Sequence, residues 1–350
     1  MYKKIIRPLL FLLPPETVHH VVVKMLHAGY VIPGVKQMIS WACRVNDPLL
    51  ETELFGIRFP NKVGLAAGFD KQANLYNHLS AFGFGHIEVG TVNPLPQPGN
   101  PKPRLFRLKK DQALINRMGF NNPGVDAFVK NLRKNKPNII IGGNIGKNTL
   151  TPNDEAIADY LACFEKLYPW VDYFVINVSC PNIEGLGKLQ DKDELIRIID
   201  TINAANNTKP KRRPVLLKIS PDLTEEQLDD TLAVVKKTGI DGIIATNTTT
   251  TRQGLSTSES EINNIGRGGL SGKPLRERAT AMIASIVQKT GGTIPVIGVG
   301  GIMSAKDALD KLEAGASLVQ IYTGFIYEGP GLVKRINQAV LNYLKQKPRK

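Results

Sequence analysis

From residue 61 onward, the chain repeats one pattern of apolar and polar positions eight times. Each unit has a short apolar stretch that ends in small or polar residues, and a segment with apolar residues at helical spacing usually follows. The apolar stretches, read as strands, are 63–67, 86–89, 139–142, 173–178, 215–219, 242–245, 296–299 and 318–321. Helices are predicted at roughly 72–82, 123–134, 153–168, 191–206, 224–238, 275–290, 304–313 and 331–345.

Eight strand–helix units predict parallel strands joined by crossover helices, and therefore a closed α/β structure, the (β/α)₈ TIM barrel. An open doubly wound sheet is the alternative, which is disfavoured because no Gly-x-Gly-x-x-Gly follows the first strand. Residues 49–60 are predicted to form a small hairpin that closes the bottom of the barrel.

Residues 1–45 differ from the barrel domain, which we place at 46–350. Residues 5–13 are apolar but interrupted by Arg7 and Pro8, and the unbroken run 9–13 is far shorter than the ~18 residues of a membrane span. A second helix is predicted to open at Pro15, with apolar residues at helical spacing. Two short amphipathic helices with basic flanks predict a hairpin in a membrane interface, and packing on the barrel is the alternative.

The net charge of +14 is high, with 45 Lys and Arg against 31 Asp and Glu. Such a charge indicates nucleic-acid binding, attraction to anionic lipid, or a plain solvated surface. In residues 1–45 the basic residues are mixed with apolar ones, which favours a membrane surface over a nucleic acid. The three cysteines show no paired spacing, so neither disulfides nor a zinc site is predicted.

The stretch 173–178 is mostly apolar and rich in β-branched residues. Around its carboxyl end are four polar or reactive residues: Asn177, Ser179, Cys180 and Asn182. A buried strand with a thiol and two amides at its carboxyl end is typical of the catalytic face of an α/β barrel. The alternative is an ordinary strand end with capping asparagines and an inert cysteine.

The other strand ends carry amides, hydroxyls, lysines and glycines, without a cluster of His or carboxylates. This disfavours a metal hydrolase and excludes a glycosidase with paired carboxylates. Glycine clusters at 268–272, 298–301 and 322–324 follow late strands, where barrels commonly bind a phosphate. Amides and a lysine at the barrel mouth suit a planar heterocycle with many hydrogen-bonding edges. A heterocycle with a phosphate indicates a mononucleotide, FMN first. Lys218 is then suited to stabilise the reduced flavin ring, although a lysine that merely reaches solvent from the barrel mouth is the alternative.

Seven motifs are distributed over almost the whole chain. They are 66–71 (AAGFDK), 87–91 (IEVGT), 96–107 (PQPGNPKPRLFR), 115–122 (INRMGFNN), 144–148 (NIGKN), 244–249 (IATNTT) and 268–272 (GGLSG). With them the chain resembles the dihydroorotate dehydrogenases of the membrane-associated, quinone-reducing class. That family oxidises (S)-dihydroorotate to orotate in pyrimidine synthesis. A base takes the C5 proton, FMN takes the C6 hydride, and a quinone reoxidises the flavin.

The resemblance implies three sets of site residues and no metal. FMN is expected at Ala67, Gly68, Phe69, Asp70, Lys71, Thr91, Asn144, Asn177, Lys218, Thr246, Gly272, Gly301, Tyr322 and Thr323. The substrate is expected at Lys71, Asn116, Arg117, Met118, Gly119, Phe120, Asn177, Asn182, Asn247 and Thr248. His19, Arg107 and Tyr322 resemble residues near the quinone entrance, and for His19 a packing role is the alternative. The class also implies peripheral attachment to the cytoplasmic side of the cell membrane and no nucleic-acid partner.

One position departs from the class. In the family, the quinone-dependent members usually present serine as the base, and the soluble members present cysteine. Here Cys180 occupies that position. A soluble-type enzyme that uses fumarate or NAD is therefore one alternative, although the N-terminal extension favours quinone. A flavin-dependent tRNA dihydrouridine synthase is a second, but about 30 residues after the last predicted strand leave little room for an RNA-binding region. A barrel that has lost catalysis is the third, and it would require gaps among the strand-end residues.

Overall fold

The computed structural model describes residues 2–135, 138–179 and 192–346. The strands in these ranges are β1 (Thr52–Leu54), β2 (Ile57–Phe59), β3 (Val63–Leu65), β4 (His86–Val92), β5 (Leu105–Leu108), β6 (Ala113–Asn116), β7 (Ile140–Ile145), β8 (Tyr173–Asn177), β9 (Val215–Ile219), β10 (Gly242–Ala245), β11 (Gly269–Gly272), β12 (Val296–Val299) and β13 (Leu318–Ile321). The helices are α1 (Arg7–Leu10), α2 (Pro15–Val31), α3 (Val35–Cys43), α4 (Tyr76–Leu79), α5 (Val125–Lys134), α6 (Ala156–Leu167), α7 (Lys192–Asn207), α8 (Glu225–Thr238), α9 (Glu259–Ile265), α10 (Arg276–Thr290), α11 (Ala305–Glu313), α12 (Thr323–Glu328) and α13 (Gly331–Gln346).

Eight parallel strands form a closed barrel, in the order β3, β4, β7, β8, β9, β10, β12, β13 and back to β3. The predicted (β/α)₈ barrel is therefore confirmed. Its strands are buried along their whole length, because one face lines the barrel interior and the other packs against the helices. That double burial explains why the sequence shows continuous apolar runs rather than strict alternation.

Alternate residues of each barrel strand belong to two different cores. In β9, Val215, Leu217 and Ile219 pack in the large core that includes the helices, whereas Leu216 packs in the barrel interior. Because side chains alternate with a period of two, Lys218 shares the interior register with Leu216. The same alternation puts Glu88 of β4 inside the barrel, since Ile87 and Val89 pack outward.

The hairpin predicted at 49–60 is confirmed. β1 and β2 pair antiparallel, with Leu54 opposite Ile57. Phe59 at the end of β2 is completely buried in the interior core, and Phe55 and Ile57 pack against that core. These apolar side chains fill the end of the barrel remote from the strands' carboxyl ends.

A three-stranded antiparallel sheet, in the order β11, β6, β5, was not predicted. Its strands are four residues long, and each includes a polar residue: Arg107, Asn116 or Ser271. Such short segments lack the apolar runs by which the barrel strands were recognised. α4 is also much shorter than the helix predicted at 72–82. The reason is local: the Asp70 carboxylate accepts hydrogen bonds from the amides of Asn74, Leu75 and Tyr76, which holds the preceding segment in turns.

The N-terminal segment contains three helices, whereas the sequence predicted two. The additional one, α3, follows Gly34, which has a φ of 86°, and it turns Ile39 and Cys43 toward the main core. α2 is tied to the barrel by Arg104, which is 8% exposed. Its Nη2 donates to Glu16 Oε1 at 2.8 Å, and its Nε donates to Glu16 Oε2 at 3.3 Å. Packing on the barrel is therefore observed.

The surface of the N-terminal helices and of the turns beside them exposes large apolar side chains. It carries Ile5, Leu9, Leu12, Leu13, Met25, Val31, Ile32, Met38 and Trp41, each between 44% and 84% exposed. We call this surface the outer apolar face. No single helix in the described ranges is long and apolar enough to span a membrane. Tyr2–Leu10 and Pro15–Val31 meet that test jointly, by length and composition, but a 115° bend separates them.

His86 predicts how the stability of the barrel depends on pH. It is completely buried, and neither ring nitrogen has a hydrogen-bond partner among the described residues. Burial lowers the pKa of His86 from 6.5 to about 3. Between these pH values the unfolded chain binds a proton that the folded chain does not, so stability falls as the pH drops through this window.

We expect protonation of unfolded His86 to cost about 2 to 3 kcal/mol of unfolding free energy between about pH 7 and about pH 4.5. Urea unfolding at both pH values measures this cost. His86→Leu should remove that part of the pH dependence, whatever its effect on stability at neutral pH. The same slope in both proteins would contradict the neutral, buried state of His86.

Candidate active site

A single cavity at the carboxyl ends of the barrel strands brings together most of the predicted site residues. Those that line it are Ala67, Gly68, Lys71, Thr91, Asn116, Met118, Gly119, Phe120, Asn177, Lys218, Thr246, Asn247, Thr248, Gly272, Gly301, Tyr322 and Thr323. The unpredicted sheet also contributes, through Leu105, Leu114 and Ser271. Segments far apart in sequence therefore converge on one site, as expected for the catalytic face of a barrel.

Four predicted FMN or substrate residues do not line this cavity. The Asp70 carboxylate is occupied by the amides of the following turn, and Phe69 packs edge-on against Tyr322. The Arg117 guanidinium donates to the carbonyl of Pro103, and its carbon Cζ lies 4.9 Å from the ring centre of Phe106. Asn144 is completely buried and supports neighbouring residues. Cys180 and Asn182 lie outside the described residues.

A continuous hydrogen-bond network supports the cavity wall. Asn144 Nδ2 donates to Glu88 Oε1 at 2.7 Å, and Asn177 Nδ2 donates to Asn144 Oδ1 at 3.2 Å and to Thr91 Oγ1 at 3.0 Å. Asn247 Nδ2 in turn donates to Asn177 Oδ1 at 3.3 Å. The bonds link strands β4, β7 and β8 to Asn247, the second residue after β10. They fix the orientation of each side-chain amide, and therefore which of its groups are offered to a ligand.

Lys218 contributes a positive charge to this network. Its Nζ donates to Glu88 Oε1 at 3.1 Å, and the two side chains are 6% and 0% exposed. Gln320, which also lines the cavity, donates from Nε2 to Glu88 Oε2 at 2.8 Å. Neither Glu88 nor Gln320 was predicted as a site residue. For Glu88 the signal was available: a carboxylate stands at an inward position of a buried strand, where an apolar residue is expected.

The glycine-rich segments bring the backbone close to the beginnings of two helices. Gly301 has a φ of 72°, and a Cβ there would lie 2.2 Å from Cα of Arg276, the first residue of α10. A Cβ on Gly324, in the first turn of α12, would lie 2.0 Å from the carbonyl oxygen of Ile302. Glycine is therefore required at both positions. Backbone amides at helix N-termini favour an anion, so this side of the cavity suits a phosphate.

Other residues at the barrel mouth offer groups for a polar planar ligand. The residues there include Lys71, whose Nζ donates to Asn121 Oδ1 at 2.6 Å, together with the amides of Asn116 and Asn247. Thr248 Oγ1 is buried and has no hydrogen-bond partner among the described residues. A buried hydroxyl without a partner indicates a position where a ligand atom would complete the hydrogen bonding.

Aromatic rings connect the extension to the cavity. The ring centre of His19, in α2, lies 5.5 Å from that of Phe69. The ring centre of Phe69 lies 5.6 Å from that of Tyr322, which lines the cavity. Burial, together with the nearby charges of His20 and Lys71, lowers the pKa of His19 to about 4, so it is neutral near pH 7. His19 therefore presents an uncharged ring beside the cavity.

Arg107 ties the extension to β5. It donates to the carbonyls of Phe11 at 3.1 Å and Leu13 at 2.8 Å, and its guanidinium carbon lies 4.4 Å from the ring centre of Phe11. Although neither His19 nor Arg107 lines the cavity, both lie where the extension meets the barrel.

Comparison with known proteins identifies the family. The sequence model of the dihydroorotate dehydrogenase family matches residues 49–344. A dihydroorotate dehydrogenase (quinone) from Christiangramia forsetii is 56% identical over 341 residues, which cover 97% of this chain and 99% of that protein. One from Thermosynechococcus vestitus is 47% identical, with 97% and 96% covered.

A solved structure agrees with this assignment. The dihydroorotate dehydrogenase of Eimeria tenella, crystallised with ferulenol, superposes with a TM-score of 0.85 at 37% identity, and 95% of this chain and 92% of that one are covered. Full-length sequence similarity and the shared fold lead to the same conclusion: the chain belongs to the dihydroorotate dehydrogenase family.

Proposed function

We propose that the chain oxidises (S)-dihydroorotate to orotate in pyrimidine synthesis, with FMN as its cofactor and a quinone as the final electron acceptor. The substrate loses a proton from C5 and a hydride from C6, and the quinone gains two electrons and two protons. The observation that carries the proposal is the single cavity in which glycine-rich helix starts, Lys218 and a set of fixed side-chain amides converge, in a chain of this family.

The cavity residues fit FMN. The backbone at Gly272, Gly301 and Thr323 would hold the phosphate at the beginnings of α10 and α12. Lys218, at the carboxyl end of β9, would place positive charge beside the isoalloxazine ring. Thr91 and Asn177 would hydrogen-bond the ring edge, in orientations that their own network fixes. When bound, FMN supplies the acceptor for the substrate hydride.

The same cavity supports binding of a carboxylated dihydropyrimidine. The Lys71 ammonium would pair with the substrate carboxylate. Asn116, Asn177 and Asn247 would satisfy the donors and acceptors of the ring. Thr248 would use its hydroxyl, which has no partner among the described residues. Held on several sides, the substrate would present C6 in one orientation, which is the main contribution that positioning makes to such a reaction.

Cys180 is the base in this proposal. The neighbouring hydroxyl is already engaged, because Ser179 Oγ donates to the carbonyl of Lys218 at 2.8 Å and receives a hydrogen bond from Asn247 Nδ2 at 3.1 Å. Burial raises the pKa of Cys43 and of Cys163, so neither of these supplies a thiolate near neutral pH. The family motif therefore leaves Cys180 as the group to accept the C5 proton.

The extension supports quinone as the acceptor and peripheral attachment at the cytoplasmic side of the cell membrane. Its outer apolar face would enter the lipid interface, where the indole of Trp41 is favourable. Its inner side carries the neutral ring of His19, close to Phe69 and Tyr322. An apolar quinone held in the lipid would thus approach the cavity between the extension and the barrel.

The double substitution Leu12→Asp, Trp41→Asp tests the membrane part of the proposal. We expect binding to vesicles of anionic lipid to fall about tenfold or more, because two apolar side chains no longer enter the interface. The KM for quinone should rise, while anaerobic flavin reduction by dihydroorotate stays unchanged. Leu150→Asp is the matched control, since Leu150 is 95% exposed outside the extension. Equal vesicle binding by both variants would refute the role of the outer apolar face.

The test of the catalytic part is the chromophore of the purified protein. The purified protein should absorb at about 450 nm, as oxidised flavin does, and should release FMN on denaturation. This absorbance should be lost when dihydroorotate is added without oxygen. Bleaching with dihydrouridine-containing RNA but not with dihydroorotate would favour the RNA-modifying alternative. A protein that binds no flavin would refute the proposal.

A further inference from the structure

Glu88 is a buried carboxylate below the cavity, at the third position of β4. It has no solvent exposure. Its Oε1 accepts from Lys218 Nζ at 3.1 Å and from Asn144 Nδ2 at 2.7 Å, and its Oε2 accepts from Gln320 Nε2 at 2.8 Å. One carboxylate therefore contacts residues of three other barrel strands, and two of these residues line the cavity.

A neutral group of the same size could fill the position of Glu88 in the barrel interior, where apolar residues such as Val175, Leu216, Ile244 and Ile297 also pack. An apolar side chain there would leave Lys218, Asn144 and Gln320 without their acceptor. A buried ion pair is usually no more stable than well-packed apolar residues of the same volume. The charge of Glu88 is thus better explained by what it does to its partners than by stability.

The partner that responds to that charge is Lys218. An ammonium that is 6% exposed loses most of its hydration, and burial without a counter-charge favours the neutral amine. Glu88 supplies the counter-charge, and its contact at Oε1 also fixes where Nζ lies. The carboxylate thus holds Nζ of Lys218 at the floor of the cavity.

We propose that Glu88 is a positioning residue that keeps Lys218 charged and thereby sets the reduction potential of the bound flavin. The inference rests on the proposed function, in that FMN occupies the cavity. A fixed positive charge beside the ring favours the reduced, more electron-rich cofactor. If the carboxylate were lost, that charge would become dependent on pH.

Glu88→Gln tests this, because it keeps the size of the side chain and one acceptor oxygen but removes its charge. The new amide group can donate to Gln320, whose Oε1 has no partner among the described residues. The measurement is the midpoint potential of bound FMN against a reference dye, across the pH range in which the protein is stable. At the alkaline end, we expect the equilibrium constant for flavin reduction to be lower in the variant than in the wild type by a factor of about ten or more. There its potential should approach that of Lys218→Met, and toward acidic pH it should return to the wild-type value or exceed it.

Gln320→Leu is the matched control, since it removes a hydrogen bond to Glu88 without changing a charge. Its potential should run parallel to that of the wild type at every pH. A Glu88→Gln curve that also runs parallel to the wild-type curve would overturn the inference.

Thermal melting of the single and double variants tests the pairing without reference to the cofactor. Each single change, Glu88→Gln or Lys218→Met, leaves one buried charge uncompensated, which is strongly destabilising. The double variant removes both charges and should therefore melt at a higher temperature than either single variant. A double variant that melts no higher would contradict the pairing. A wild-type protein without flavin would instead refute the proposed function and leave the melting comparison valid.

Discussion

Replacement of Cys180 by alanine is expected to slow flavin reduction by dihydroorotate about 10²- to 10⁴-fold, the usual contribution of a positioned base. The substrate would still bind, because Lys71 and the cavity amides are unchanged. Rapid mixing of enzyme and substrate without oxygen measures this rate directly and separates it from reoxidation by quinone. Cys43→Ala is the matched control, since it removes a half-buried thiol of α3 that the proposal leaves without a role in catalysis.

Cys180→Ser distinguishes a base from a merely structural thiol. A free thiol has a reference pKa of about 8.5, and a hydroxyl is far more difficult to ionise. The acidic limb of the pH–rate profile should therefore move to higher pH in the serine variant. Identical profiles in single-turnover flavin reduction would eliminate Cys180 as the group whose ionisation sets this limb.

The second large effect is expected at Lys71. Its ammonium lies at the cavity within hydrogen-bonding distance of Asn121 Oδ1, and the proposal pairs it with the substrate carboxylate. Lys71→Met should weaken dihydroorotate binding about 10- to 200-fold, the value of a charged hydrogen bond of about 1.5 to 3 kcal/mol. The dependence of the reduction rate on substrate concentration gives this dissociation constant.

Two controls accompany the Lys71 variant. The FMN content per protein must be measured, because Lys71 is also proposed to contact the cofactor. Lys130→Met removes one positive charge from an exposed position of α5 and should leave the dissociation constant unchanged. If Lys71→Met bound dihydroorotate as tightly as Lys130→Met, the carboxylate would have to be held elsewhere.

The barrel was predictable because its strands are buried on both faces and leave continuous apolar runs, as in β8 and β9. The sheet of β5, β6 and β11 was not, since four-residue strands with polar positions have no such pattern. α3 escaped prediction for a similar reason: it is nine residues long, and the exposed Met38 and Trp41 obscure its buried side. Local patterns thus identified the elements with strong burial and missed those held by tertiary contacts.

At the site, sequence reasoning identified the residues that line the cavity better than those that support them. Lys71 and Lys218 were found from strand ends and family motifs. Glu88 was missed although a carboxylate within an apolar strand was a visible signal, because its partners come from three other strands that no local pattern brings together. Asp70 illustrates the converse: it belongs to a family motif, but its carboxylate holds the turn before α4. Motif membership alone did not separate ligand contacts from local structure.

The most direct test of the central claim is a double-mixing experiment without oxygen. Purified protein is first mixed with dihydroorotate, and the flavin absorbance near about 450 nm is followed; a second mixing then adds ubiquinone, menaquinone or fumarate. The account predicts rapid loss of the flavin absorbance with formation of orotate, and rapid recovery with a quinone but not with fumarate. Recovery with fumarate and not with either quinone would contradict it.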